Sequence, residues 1–222
     1  HELKVKKYKA DSMDSDWHVR ASAYDVLENL GALTVELKVQ RYINDLYDGR
    51  GDVRTATVNA LVGMGKLAAP SLIFAFRTSE ERLRVRVAAA EALGRIEPVS
   101  SEVLTALIRG LGDATVSQVA ADALVKIGRP AIPVLIRAYQ DYGNDYSGVY
   151  YVAAVNVLAK IGAPVVPALI EALYEPDDRV RFVAYGVLDR LNAWTIELKV
   201  KRYILDLGRS FMYGRKSAAE AL

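Results

Sequence analysis

Cysteine is absent from all 222 residues of the chain, so disulfides, thiolate metal sites and a cysteine nucleophile are excluded. Histidine occurs only as His1 and His18, too few for a histidine-rich metal site and a poor basis for a proton relay. Neither sign of charge is in excess: 29 basic residues face 27 acidic ones, whereas a dedicated nucleic-acid binder shows a strong basic surplus or a dense patch. Long apolar runs are missing too. One apolar run, "LAAPSLIFAF" from Leu67 to Phe76, is closed by Lys66 and Arg77 and is about half the length of a membrane span. Alternating β-branched runs between hairpin turns are nearly absent, so strands are not expected. No nucleophile–base pair, carboxylate dyad, metal-ligand cluster or phosphate-binding glycine loop is present. The chain is therefore read as non-catalytic, with no cofactor and no metal. It opens at His1 without an apolar leader and stops in "GRKSAAEAL", inside an amphipathic pattern. The expectation is a cytoplasmic piece of a longer protein, with no membrane partner.

What the chain does contain is repetition. The phrases "VRASAYDVLENLG", "VRTATVNALVGMG", "RVAAAEALGRI", "VSQVAADALVKIG", "YYVAAVNVLAKIG", "VRFVAYGVLDRLN" and "GRKSAAEAL" align on Leu27, Leu61, Leu93, Leu124, Leu158, Leu188 and Leu222. These leucines are 34, 32, 31, 34, 30 and 34 residues apart. Each period holds two helical patterns. The first, as in "PAIPVLIRAYQ" and "PVVPALIEALY", carries proline near its start, where the missing N–H has no partner to lose. The second follows an acidic turn that can cap its N-terminus. It ends at Gly31, Gly65, Gly128, Gly162 or Asn192, residues that adopt the left-handed stop most easily. Alanines at 88, 89, 90, 120, 121, 153 and 154 keep the second helices thin. No pair can bury both faces alone, so pairs must stack. The predicted fold is an all-α array of about seven helix pairs, with units near 1–31, 32–66, 67–98, 99–128, 129–162, 163–192 and 193–222.

A further repetition lies over the first. "VELKVQRYINDL" (Val35 to Leu46) returns as "IELKVKRYILDL" (Ile196 to Leu207), and "ELKVKKY" opens the chain at Glu2. The phrase predicts a first helix with Val35, Val39, Ile43 and Leu46 on one apolar stripe and Lys38, Arg41 and Asp45 outward. Its return 161 residues later suggests duplication of a block of about five units.

Units such as "DDRVRFVAYGVLDRLN" and "IGAPVVPALIEALYEPDDRVR" resemble HEAT-like repeats, in the variety shared with phycobilisome-lyase HEAT-like proteins, over essentially the whole chain. The resemblance implies a right-handed α-solenoid whose second helices line a concave face, used as a scaffold or adaptor. The deoxyhypusine hydroxylase branch binds iron through repeated His-Glu pairs, and the only such pair here is His1-Glu2, which excludes that reading. A phycobilin-lyase role would bring a partner subunit and a tetrapyrrole, and no residue separates it from scaffolding. HEAT-like DNA glycosylases are similar only in fold.

Two sets of residues stand out as candidate contacts. Seven positions before the key leucines lie Arg20, Arg54, Arg86, Ser117, Tyr151, Arg181 and Arg215. Five arginines at one register form either a basic ladder for an acidic peptide or a set of local bonds. Asp16–Arg20 and Asp177–Arg181 have the favourable i, i+4 orientation for such bonds. The ladder breaks in the fifth unit, where "AYQDYGNDYSGVYY" places five of the chain's 13 tyrosines in 14 residues. Tyr139, Tyr142, Tyr146, Tyr150 and Tyr151 offer rigid contact area beside a Gly/Asn turn. The expected partner is a protein or peptide rather than a nucleic acid, with self-association through the terminal units as a further expectation.

Overall fold

The computed structural model describes residues 2–14, 16–47, 50–78, 83–142, 148–200 and 202–203. Among these residues every regular element is helical. The helices pair as α1 (Glu2–Asp11) with α2 (Trp17–Asn29), α3 (Val35–Asp45) with α4 (Gly51–Met64), and α5 (Ala69–Thr78) with α6 (Leu83–Leu93). They continue as α7 (Ser101–Leu111) with α8 (Ser117–Ile127), α9 (Ile132–Tyr142) with α10 (Val149–Ile161), and α11 (Val166–Ala172) with α12 (Asp178–Arg190). A further helix begins at 196. The chain forms two compact units, His1–Ile127 and Gly128–Leu222, divided at a repeat boundary. Within the first unit, α3 packs on α5 and α5 on α7, while α4 packs on α6 and α6 on α8. Within the second, α9 packs on α11 and α10 on α12. First helices thus stack on first helices and second on second, the layered packing that a helix-pair repeat needs to bury its faces. No single helix among the described residues is long and apolar enough to cross a membrane.

The helix boundaries follow their sequence signals. The carboxylates of Asp16 and Asp177 accept from the amides of His18 and Arg179, each at 2.8 Å, and so cap α2 and α12. Thr34 and Ser100 hydroxyls cap α3 and α7. All five predicted stops, Gly31, Gly65, Gly128, Gly162 and Asn192, have φ between 50° and 80°. A side chain at such a φ is strained unless it is absent or short and polar. Pro130 and Pro164 open 3-10 turns ahead of α9 and α11, a placement that costs no intrahelical bond.

In α3 the buried residues are Leu37, Val39 and Ile43, with Leu46 buried just beyond. Val35, expected on the stripe, is 43% exposed. It occupies the capped first turn, whereas Leu37 reaches across to Tyr24 and Leu27 of α2. The buried face is therefore turned toward α2. Arg41, expected outward, lies against the same helix, 3.3 Å from Asp25 and 3.4 Å from Glu28.

Tyr24 ties three helices together. It belongs to a buried cluster with Leu27 and Leu37, against which Val5 and Tyr8 pack; its hydroxyl donates to the Ser12 carbonyl at 3.2 Å, and the Asn44 amide donates to it at 3.3 Å. Burial pushes its phenol above the ordinary value. Tyr24→Phe keeps the packing and orphans the Ser12 carbonyl and the Asn44 amide. We expect a loss of about 1 kcal/mol in chemical denaturation, and an unchanged midpoint would show that water replaces both bonds.

Candidate binding surfaces

The arginine ladder is largely turned inward. Arg20 donates from Nη1 to the Asp14 carbonyl at 2.8 Å. Arg86 donates from Nε to the Phe76 carbonyl at 2.8 Å, and Arg181 donates from Nη1 to the Glu175 carbonyl. In each case an arginine near the start of a second helix bonds a carbonyl in the last turn of the first helix or in the turn that follows. Those carbonyls lack intrahelical partners, and a nearby cation also meets the negative end of the helix dipole.

The carboxylate partner of Arg181 differs from the i, i+4 expectation. Asp16 caps α2. Asp177 binds Arg179 Nη2 at 3.0 Å, and this contact holds its carboxyl below the usual range. Arg181 pairs with Asp178 instead. Capping has first claim on the acid at the N-cap position, which leaves the ladder arginine to carbonyls and to other acids.

Arg86 and Arg181 are 6% and 2% exposed. Arg86 also donates to Thr115 Oγ1 at 2.8 Å and pairs with Asp113 at 2.5 Å, tying the third repeat to the turn of the fourth. Bonds from the Thr115 hydroxyl and then from Arg86 lower the Asp113 carboxyl to about 2. Arg54 remains half-buried beside a groove between α4 and α6. Arg215 lies outside the described residues.

The tyrosines form two rungs across the α9–α10 hairpin. Tyr139 faces Tyr151 with ring centroids 5.7 Å apart, and Tyr142 faces Tyr150 at 5.5 Å, both within the range of favourable tilted pairs. All four are half-buried, and Tyr146 lies outside the described residues. Tyr151, which replaces the ladder arginine, points toward α12. A Cβ built on Gly186 would stand 2.5 Å from its hydroxyl and 3.2 Å from Val155. The missing side chain at Gly186 is what makes room for a tyrosine at this register.

One surface was not foreseen from the sequence. Six positions before the key leucines, Val152 on α10 is 53% exposed and Phe182 on α12 is 58% exposed, with Val149 also exposed. The equivalent positions in the first unit are Ala21, Thr55, Val87 and Gln118. Large exposed apolar groups at one register on two packed helices are uncommon enough to ask for a partner. Register alone groups both residues, but it does not tell which face of the packed helices they occupy.

A second unforeseen feature joins neighbouring second helices. Arg95, two residues after its key leucine, donates to Asn59 Oδ1 at 2.8 Å, and Arg190 donates in the same way to Asn156. Each asparagine lies two residues before the preceding key leucine, so one clasp is used once in each compact unit. Among the described residues no group of three or more His, Asp or Glu side chains is placed to hold a metal.

Comparison with known families places residues 101–189 in a family of HEAT repeats and residues 85–113 in the PBS lyase HEAT-like repeat. No curated protein matches the chain.

Proposed function

Since the chain is a HEAT-like repeat protein, we propose that it is a non-catalytic scaffold that binds a protein or peptide across its second helices. The contact centres on α10 and α12. The observation that carries this reading is the exposed pair Val152 and Phe182 at one register of two packed helices, close in sequence to the tyrosine rungs at the start of α10. Interface hot spots are enriched in aromatic residues set among apolar neighbours. The rungs stiffen the hairpin, and Tyr142 and Tyr150 extend the contact area toward the turn. Arg86 and Arg181 serve the fold in this reading and do not contact the partner.

Val152→Glu combined with Phe182→Glu tests it. Both side chains are more than half exposed, so the melting temperature should stay within about 2 °C, the usual range for surface changes. Partners captured by the whole chain and identified by mass spectrometry should weaken by about 2 kcal/mol or more in calorimetry with the double variant, roughly 30-fold. Equal affinity for both proteins would remove this surface from the proposal.

A further inference from the structure

We propose that the groove between α5 and α7 is a second docking site, shaped for a short acidic peptide segment that carries apolar side chains. The inference rests on the scaffold reading and adds the chemistry of a partner to it. The groove has a volume of about 740 Å³, within the roughly 300–1,000 Å³ of ordinary ligand clefts. Ile73, Ile96, Val103 and Ala106 are among its apolar lining. Among the described residues of the lining, Lys66, Arg77 and Arg109 are cationic and Glu102 is the carboxylate. Glu102 is itself engaged at the start of α7, where the Ser100 hydroxyl and its own backbone amide lower its carboxyl.

Arg41, Arg86, Arg95, Arg137, Arg179 and Arg181 each have a carboxylate partner. Lys66 and Arg77, both exposed, make no side-chain hydrogen bond or ion pair among the described residues. An apolar floor edged by the exposed cations Lys66 and Arg77 is complementary to apolar side chains flanked by carboxylates. Hydroxyls of Ser101 and Thr105 in the lining can meet the amide groups of a peptide, which a hydrocarbon tail does not bring. Among the described residues the lining has no aromatic ring, so they offer no platform for stacking nucleic-acid bases.

A displayed library of random peptides, selected against the whole chain, provides the test. Enriched sequences should carry Asp or Glu around Leu, Ile or Phe. A fluorescein-labelled synthetic copy of one should bind less tightly as salt rises. Lys66→Glu with Arg77→Glu should weaken that peptide at least tenfold in anisotropy titrations, while Val152→Glu with Phe182→Glu leaves it unchanged. Should the charge reversal disturb folding in circular dichroism, Lys66→Gln with Arg77→Gln carries the same expectation at about threefold. Selection without acidic enrichment, undiminished binding to the charge variants, or displacement of the peptide by a single-stranded oligonucleotide or anionic vesicles would each overturn the groove proposal. Partner binding at α10 and α12 is measured separately, so failure of the groove and failure of the scaffold surface give different patterns.

Discussion

Arg86→Ala is expected to lower stability by about 3 kcal/mol, a fall of roughly 6–12 °C in melting temperature for a chain of this size. The guanidinium is 6% exposed and satisfies three acceptors: the Phe76 carbonyl, the Thr115 hydroxyl and the Asp113 carboxylate. Its removal leaves the carbonyl without that donor and opens a void beside Phe76, whose ring centroid lies 5.7 Å from the guanidinium carbon. Asp113 is partly exposed, so water recovers part of its loss, and the cost stays below that of a fully buried pair. Arg86→Lys should rescue little, because an ammonium cannot place donors on three acceptors in the plane of the arginine fork.

The same contact sets an acid limit. Asp113 titrates at about 2 in the folded chain against an ordinary 3.8. Its contribution is therefore fully present above pH ~4 and is lost as pH falls through about 2. Arg86→Ala should move the Asp113 carboxyl, followed by NMR, only part of the way back, because the Thr115 hydroxyl is the larger cause. An Arg86→Ala protein as stable as the parent would show that this register contributes nothing to the fold.

The contrast between Arg86 and its neighbours shows where sequence reading succeeds. The register of five arginines, the five positive-φ stops and the capping acids at Asp16 and Asp177 could be read directly, because each is a local rule about one residue and its helix end. The acceptors of Arg20, Arg86 and Arg181 could not. Each of them uses a backbone carbonyl, which every residue carries, so no side chain marks that acceptor. The repeated phrase behaves in the same way. Its copies at Val35 and Ile196 were legible, yet the contact they preserve was not. Arg41 lies 6.0 Å from the Tyr24 ring and Arg202 lies 4.5 Å from the Tyr185 ring, and the second pair is the first shifted by 161 residues. Trp194, at the place of Leu33, adds a second ring 5.5 Å from Arg202. Both copies of the phrase set a cation against an aromatic face. Val152 and Phe182 went unread for the opposite reason: apolar residues at helical spacing are ordinarily assigned to the core, and only the packed helices show that their register faces out.

Gly94→Ala is expected to cost about 2 kcal/mol, within the range for overpacking a tight contact, although alanine is the better helix former by about 1 kcal/mol. Gly94 follows α6 directly, where α6 packs on α8. A Cβ placed there would lie 2.9 Å from both the Cα and the Cβ of Ala123, and 3.2 Å from its carbonyl oxygen. No rotamer change can relieve a contact with backbone, so the two second helices must separate. That movement loosens the stacking that supports a repeat array. Gly110 is a different case, because the nearest atoms to its missing Cβ belong to the Phe76 ring, which can tilt. A double-mutant cycle distinguishes backbone crowding from simple side-chain crowding. If the Cβ of Ala123 were the whole obstacle, Ala123→Gly would restore the Gly94→Ala protein apart from its own helix penalty of about 1 kcal/mol. Because Cα and the carbonyl remain in place, the coupling measured by chemical denaturation should stay under half of the Gly94→Ala cost. Full rescue would show that α6 and α8 are held apart by side chains alone, and a neutral Gly94→Ala would show that the approach of these helices is not under tension.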